Sequence, residues 1–222
     1  MAGRMYLGNQ MVTPVIVQGV EEKVFNVDGY DLLGSINNTG VLSSPSNFLS
    51  IIFNGVTDIS EDCFYYEEND LWPYVKNIVS SVSFPDLKNM TYPFGCDEIF
   101  ISAKNISSAL FENLESISGN YAFTYSFYNA KPINVIRFPK LNLINASKIF
   151  ECCFSNSTIT NIYFNSLNQN SFGSYTNQFS YMLEDCSNVT VHFPVGLDAT
   201  IGNWSDVLAG FGGTNTIILY DL

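Results

Sequence analysis

Few residues in this 222-residue chain have side chains suited to chemistry, and the densest group of them is acidic. Six carboxylates fall close together: Asp58, Glu61, Asp62, Glu67, Glu68 and Asp70. Such a cluster could bind calcium, which takes roughly six to eight oxygen ligands, or supply the carboxylate pair of a glycosidase. The spacing lacks the alternate-residue ligands and the turn glycine of a calcium loop. We therefore expect a solvated loop, and a carboxylate pair contributed by two different repeats stays open.

The single histidine, His192, is a weak candidate for catalysis or metal binding. No second histidine is available for a zinc site, and a Ser-His-Asp triad has no evident orienting residue. In the run Thr190-Val191-His192-Phe193, strand alternation places the imidazole on the face opposite Val191 and Phe193. We therefore expect His192 to face solvent and to have no catalytic role.

The cysteines do not form a metal-binding pattern. There are five of them, with no CxxC pair: Cys63, Cys96, Cys152, Cys153 and Cys186. Zinc sites require thiolates paired at short spacing together with further ligands, and adjacent cysteines do not fit that requirement. We expect reduced, buried thiols that act as small apolar side chains, and we expect no metal and no other cofactor.

Aromatic residues are the third candidate for function. They exceed the number that a repeated core needs, and the surplus is Phe64, Tyr65, Tyr66, Trp72, Tyr74, Tyr121, Tyr125, Tyr128, Tyr175 and Tyr181. Exposed Tyr and Trp are favoured at recognition surfaces and can stack on sugars or peptide side chains. The predicted recognition surface consists of Tyr65, Tyr66, Trp72, Tyr74, Tyr125 and Tyr128. The alternative is that these rings fill the interior.

A recurring apolar skeleton predicts the elements that position these side chains. Its clearest copy is Phe138, Leu141, Ile144 and Phe150, and the other copies are Phe53-Val56-Ile59-Phe64, Phe84-Leu87-Met90-Phe94 and Phe111-Leu114-Ile117-Phe123, with weaker ones starting at Phe164 and Phe193. The leading phenylalanines are 26 to 31 residues apart. A period of this length predicts a solenoid, in which each repeat buries its apolar face only by stacking on its neighbours.

Each repeat predicts the same local course. A short β-prone run precedes each leading phenylalanine, so these runs would lie side by side in a stacked parallel sheet. The Leu and Ile spacing that follows would turn the chain with apolar side chains inward, and the second phenylalanine would close the opposite wall. The sequence therefore predicts a β-rich solenoid of five or six coils over residues 48–200.

The two ends differ from the repeats. Residues 1–20 predict a β-hairpin about Gly8-Asn9, a pair suited to a tight turn. Residues 21–47 predict a loop-rich connector or an irregular first coil, since their periodicity is lost. Residues 201–222 predict a cap made of a short helix near 203–208 and a strand from Thr216 to Tyr220, which would cover an open solenoid end.

Composition restricts the partners and the location. The net charge is -12, which disfavours nucleic acid. No apolar run is long enough to insert into a membrane. Met1 to Tyr6 carries no secretory signal, so we expect a cytoplasmic protein or one associated with a phage particle. A secreted or cell-surface location would follow if the natural chain begins before Met1.

The run FPKLNLINASKIFECCFSNSTITNIYF resembles the leucine-rich repeats of the BspA type. The matching elements are Phe138-Pro139, Ile144, Phe150 and Cys153, and Tyr121-Ala122-Phe123 matches in the preceding repeat. The resemblance covers about residues 48 to 200. It implies a right-handed, leucine-rich-repeat-like stack and a role in cell-surface or host interaction, and it brings no catalytic residues.

A second resemblance concerns the start of the chain. MYLGNQMVTPVIV looks like a short N-terminal segment of some prophage tail and structural proteins of gut bacteria. Together the two resemblances imply a non-catalytic module that binds a protein or glycan, or serves as a structural component, with its partner unknown. The hairpin could pair with a second copy of the chain. The alternative is a carbohydrate-active enzyme that uses carboxylates on one face of the solenoid.

Overall fold

The computed structural model describes residues 5–7, 10–17, 20–28, 48–54, 57–59, 79–168, 170–175, 177–197, 210–214 and 216–222. For residues 5–51 and 54 within these ranges the backbone alone is described. The strands, in chain order, are β1 Met5–Leu7, β2 Gln10–Val17, β3 Val20–Asp28, β4 Phe48–Asn54, β5 Asp58–Ile59, β6 Ser81–Ser83, β7 Asn89–Met90, β8 Ser108–Leu110, β9 Ser116–Ile117, β10 Val135–Phe138, β11 Leu143–Ile144, β12 Asn161–Phe164, β13 Thr190–Phe193 and β14 Ile217–Tyr220.

The strands form two sheets that run along a stack of coils. The larger sheet has ten strands in the order β1-β2-β3-β4-β6-β8-β10-β12-β13-β14, and the smaller has four in the order β11-β9-β7-β5. From β3 to β14 every pairing in the larger sheet is parallel. Consecutive passes of the chain therefore lie side by side, which confirms the prediction of a β-rich solenoid and gives about five turns.

The leading phenylalanines form the column that the repeat predicts. Phe84 stacks on Phe111 with ring centroids 5.4 Å apart, and Phe138 stacks on Phe164 at 5.3 Å. The column continues at both ends, from Phe53 below Phe84 to Phe193 above Phe164. Rings in register along the stack give each coil an apolar surface that only the next coil can cover.

The second phenylalanine of the repeat also forms a column, but Phe94 is not part of it. Phe123, Phe150 and Phe179 stack at 5.4 and 5.6 Å, so the opposite wall is closed as expected. Phe94, however, is 40% exposed, and its predicted role in closing that wall is wrong. Cys96 takes the buried position instead. Its amide donates to the carbonyl of Ala122, the residue before Phe123, and this hydrogen bond places Cys96 in register with Phe123.

The smaller sheet was not foreseen as a sheet. The Leu and Ile positions were expected only to turn the chain, yet Met90 and Ile117 are the buried residues of β7 and β9, which pair in parallel register. Each of these strands has only two residues, so β propensity alone gives almost no signal. The parallel pairing forms because equivalent bends of successive coils lie above one another.

The segment before the repeats contains more strand than the sequence predicts. β1 and β2 pair antiparallel with Leu7 opposite Gln10, on either side of Gly8-Asn9. Residues 21–28 of the expected connector belong to the nine-residue strand β3, which begins at Val20 and pairs with both β2 and β4. A loop-rich connector is therefore wrong for this part, and a first coil is the better interpretation. The rest of the connector lies outside the described residues.

The last strand agrees with the predicted cap strand. β14 pairs in parallel with β13, with Thr190 opposite Ile217 and Phe193 opposite Tyr220. The helix expected at 203–208 lies outside the described residues. Among those described, no helix is long and apolar enough to cross a membrane.

Candidate functional site

Between its strand in the smaller sheet and the next strand of the larger sheet, each coil runs through a series of overlapping turns, which we call the turn ribbon. It consists of residues 94–103, 121–130, 148–157 and 179–186. The amide of Tyr121 donates to the Ser147 carbonyl of the next coil at 3.1 Å. The amide of Thr124 instead donates to the Tyr121 carbonyl, three residues back in the same coil, also at 3.1 Å. Along the ribbon, amides that donate to the next coil alternate with amides that close a turn within their own coil. The backbone hydrogen-bonding groups are therefore satisfied without a helix or a strand.

The turn ribbon repeats a left-handed backbone conformation at every fourth residue. These residues align across coils into three columns: Phe94, Tyr121 and Lys148; Glu98, Tyr125, Cys152 and Tyr181; and Ser102, Asn129, Asn156 and Asp185. Positive φ is uncommon outside glycine and is least favourable for bulky residues. Asn suits such a position, whereas Tyr121 with φ of 60° and Tyr125 with φ of 49° are costly choices.

The first column presents aromatic rings to solvent. Phe94 and Tyr121 stack with centroids 5.1 Å apart and planes 6° apart. The Lys148 ammonium lies 5.7 Å from the centre of the Tyr121 ring. Lys148 also donates a hydrogen bond of 2.7 Å to Glu151, and this contact raises the pKa of the lysine. The column is thus a stack of two rings that ends in a paired cation.

The second column carries two exposed rings. Tyr125 is 37% exposed and Tyr181 is 58% exposed. Tyr125 contacts Tyr128 edge to face, with centroids 5.6 Å apart. A hydrogen bond between the Tyr125 hydroxyl and the Cys152 thiol raises the pKa of Tyr125 to about 12. Burial raises the pKa of Cys152 as well. Tyr125 is therefore a protonated, tethered ring at neutral pH.

The third column is polar. The side-chain amide of Asn129 donates to the Ser102 hydroxyl at 3.3 Å, and that of Asn156 donates to the Asn129 oxygen at 3.3 Å. This ladder of hydroxyl and amide groups runs beside the aromatic columns. Adjacent rings and hydrogen-bonding groups on one rigid face are the combination that recognises an amphipathic ligand.

The structure brings together two of the six residues predicted for recognition. Tyr125 and Tyr128 lie in contact on the turn ribbon, whereas Tyr65, Tyr66, Trp72 and Tyr74 lie outside the described residues. Tyr121 and Tyr181, also in the aromatic surplus, lie on the same face. Phe94 also lies on this face, although the repeat pattern places it in the interior. Its distance of 27 residues from Tyr121, the period of the repeat, is the signal that could have found it.

His192 is not exposed as the alternation predicts, since only 8% of its surface is accessible. Its ring stacks on Tyr163 at 4.2 Å. Nδ1 lies 2.9 Å from a carboxylate oxygen of Asp221, and Nε2 lies 3.3 Å from the side-chain oxygen of Asn161. The outward face of the strand was predicted correctly, but side chains from neighbouring coils cover the imidazole there.

The acidic cluster is described only at its start. Asp58, in β5, accepts a hydrogen bond of 3.0 Å from the Thr91 hydroxyl, and the other five carboxylates lie outside the described residues. Among the described cysteines, Cys96, Cys152, Cys153 and Cys186 are buried free thiols, while Cys63 lies outside them. Over the same residues, no group of three or more His, Cys, Asp or Glu side chains could hold a metal ion.

One shallow depression of about 320 Å³ lies near the C-terminal end of the stack. It is lined by Leu167, Asn168, Asn170, Pro194, Val195, Gly196 and Leu197. None of these residues is titratable, so they offer no acid, base or nucleophile. Comparison of the chain with protein-family models, curated proteins and solved structures found no match.

Proposed function

We propose that this protein is a non-catalytic binding module whose turn ribbon holds an uncharged saccharide chain. The observation that carries the proposal is the choice of residue at the left-handed positions. Phe94, Tyr121, Tyr125 and Tyr181 occupy sites where the backbone favours Gly or Asn. A bulky ring at such a site costs about 1–2 kcal/mol of conformational energy. Strain of this kind is often retained where the side chain serves binding.

The chemistry of the face supports a saccharide. Tyr125 and Tyr181 offer exposed aromatic surface to the C–H groups of sugars, and the Ser102, Asn129 and Asn156 ladder offers donors and acceptors for hydroxyls. The same ribbon carries carboxylates, with Glu98 near its start and Glu184 and Asp185 at its far end. An acidic polymer would be repelled by them, so the proposed ligand is neutral.

Substitution at the left-handed positions tests the proposal. Asn tolerates positive φ, so Tyr125→Asn and Tyr181→Asn remove the rings while preserving the backbone. Binding to a panel of neutral polysaccharides, measured by affinity electrophoresis, should weaken about tenfold or more in the double variant. Leu110→Ala is the control, because Leu110 is 39% exposed and lies on the larger sheet.

The outcomes separate the alternatives. Binding that is lost in the double variant and kept in Leu110→Ala supports the proposal. Failure of every neutral saccharide to bind, or binding that the double variant retains, overturns it. Turnover of a bound polysaccharide into shorter products would favour the carbohydrate-active enzyme instead.

A further inference from the structure

A second face of the solenoid differs from the turn ribbon in charge. The strands β6, β8, β10, β12 and β13 of the larger sheet contain no Asp or Glu, although the chain as a whole carries a net charge of -12. Their ionisable side chains that can carry positive charge are Arg137 and His192. We call the outward side of these strands the acid-free face.

Arg137 is held in place at the centre of this face. Its guanidinium carbon lies 3.8 Å from the centre of the Tyr163 ring, which stacks on His192 at 4.2 Å. His192 is fixed in turn by Asp221 and Asn161. A guanidinium lying on an aromatic ring keeps its N–H edges free and loses little conformational entropy when it binds a ligand.

No carboxylate among the described residues forms an ion pair with Arg137, and its side chain is exposed. Among the described residues, Asp221 is the carboxylate that contacts the row formed by Arg137, Tyr163 and His192, and it does so at the far end, at His192. The planar fork of an arginine matches a carboxylate through two parallel hydrogen bonds. An oriented arginine that no described carboxylate pairs with is therefore suited to a ligand that carries carboxylates.

The neighbours of Arg137 favour a sugar acid over an acidic peptide. Arg137 itself lies in register with Leu110 on one side and Tyr163 on the other. The next outward row carries hydroxyl and amide side chains, with Ser81 opposite Ser108 and Asn161 opposite Thr190. Peptides that bind sheets usually pair with an unpaired strand edge, whereas β10 is paired on both sides, with β8 and β12. An apolar and an aromatic side chain beside the guanidinium, with hydroxyl and amide groups in the next outward row, suit a uronate chain lying across the coils.

We propose that the acid-free face binds an acidic polysaccharide, with Arg137 donating hydrogen bonds to one uronate carboxylate. The site is separate from the turn ribbon, so this proposal can be tested independently of the saccharide binding proposed there. The acidic residues of other faces are screened beyond about 8 Å at physiological ionic strength. Local attraction at Arg137 therefore outweighs the distant net charge.

The test uses the full chain with polygalacturonate and its fully methyl-esterified form, which differ in the charge of the carboxylate. Calorimetry should show binding of the acid and at least tenfold weaker binding of the ester. Arg137→Gln should weaken binding of the acid about tenfold, and Arg137→Lys, which keeps the charge but loses the planar fork, should recover only part of it. Lys140→Gln removes one cation from the following turn and should leave affinity unchanged.

Each contrary result overturns the proposal. Equal binding of acid and ester would make the carboxylate irrelevant, and equal losses in Arg137→Gln and Lys140→Gln would indicate unspecific charge attraction. Absence of binding also overturns it. Polyglutamate that binds as tightly as polygalacturonate, with the same dependence on Arg137, would assign the face to an acidic polypeptide. Circular dichroism of each variant verifies folding, and Tyr125→Asn should keep full affinity for polygalacturonate.

Discussion

The ring of Phe138 stacks on that of Phe164 with centroids 5.3 Å apart and planes 8° apart. Both rings are fully buried, and each belongs to a different coil. This contact is one step of a column that joins successive coils, so the apolar surface of one repeat is covered only by the repeats beside it.

Phe138→Ala should therefore lower the free energy of unfolding by about 3–5 kcal/mol, because the cavity opens between coils. The exposed Leu110, one coil earlier, is the control, and Leu110→Ala should change stability by less than about 0.5 kcal/mol. Urea denaturation measures both. Equal effects of the two substitutions would contradict a column that holds the coils together.

The left-handed positions predict a stabilising substitution. Glu98 has φ of 53°, which glycine adopts without strain, so Glu98→Gly should raise the free energy of unfolding by about 0.5–1 kcal/mol. Glu115→Gly removes the same charge at a residue outside the left-handed set and should lower stability instead. Thermal unfolding of both variants provides the comparison. A fall in stability for Glu98→Gly would contradict the assigned backbone strain.

Alkaline pH should destabilise the fold. Burial raises the pKa of Cys153 well above its usual value and raises that of Cys186. Thiols of the unfolded chain ionise near about pH 8.5, before those of the folded chain. The unfolded state thus loses these protons first, so the stability contributed by the thiols is fully present below that pH and falls as pH rises above it.

The variant Cys153→Ala tests this dependence. Its stability at neutral pH falls because a buried side chain shortens, but the decline between about pH 8.5 and about pH 10 should become shallower. Denaturation midpoints across this range give the slope. An unchanged slope would mean that Cys153 does not contribute to the alkaline loss.

The hydrogen bond between Tyr125 and Cys152 is testable by titration. Cys152→Ala removes the partner that raises the pKa of Tyr125 to about 12, so that pKa should move back towards the ordinary value of about 10. Absorbance of the tyrosinate reports the change, and Tyr125→Asn identifies which tyrosine is responsible. A titration curve that Cys152→Ala leaves unaltered would exclude this contact.

The contacts of His192 predict a local effect at the C-terminal strand. Asp221→Asn should cost less than about 1 kcal/mol, since the carboxylate is 48% exposed. His192→Ala should cost more, because it also removes the stack on Tyr163. Hydrogen exchange of Ile217–Tyr220 should accelerate in both variants, with Phe138 amide exchange as the internal reference. Unchanged exchange at β14 would show that His192 does not secure that strand.

The sequence by itself determined the solenoid, because the apolar pattern depends only on residues that recur once per coil. Phe84, Phe111, Phe138 and Phe164 keep that period, and each leading phenylalanine follows a β-prone run. A parallel stack is the arrangement in which such equal repeats bury their shared face. The column of leading phenylalanines could therefore be predicted from the sequence, whereas the aromatic pattern wrongly places Phe94 in the interior.

Tertiary structure alone decided the surfaces. The left-handed backbone of the turn ribbon turns Phe94, Tyr121 and Tyr125 outward, and no local signal reports that conformation. Likewise, Arg137, Tyr163 and His192 form one stack only because three coils lie in register. Side chains that are about a repeat apart in the chain become neighbours through the backbone hydrogen bonds between coils, and these bonds depend on the stack as a whole.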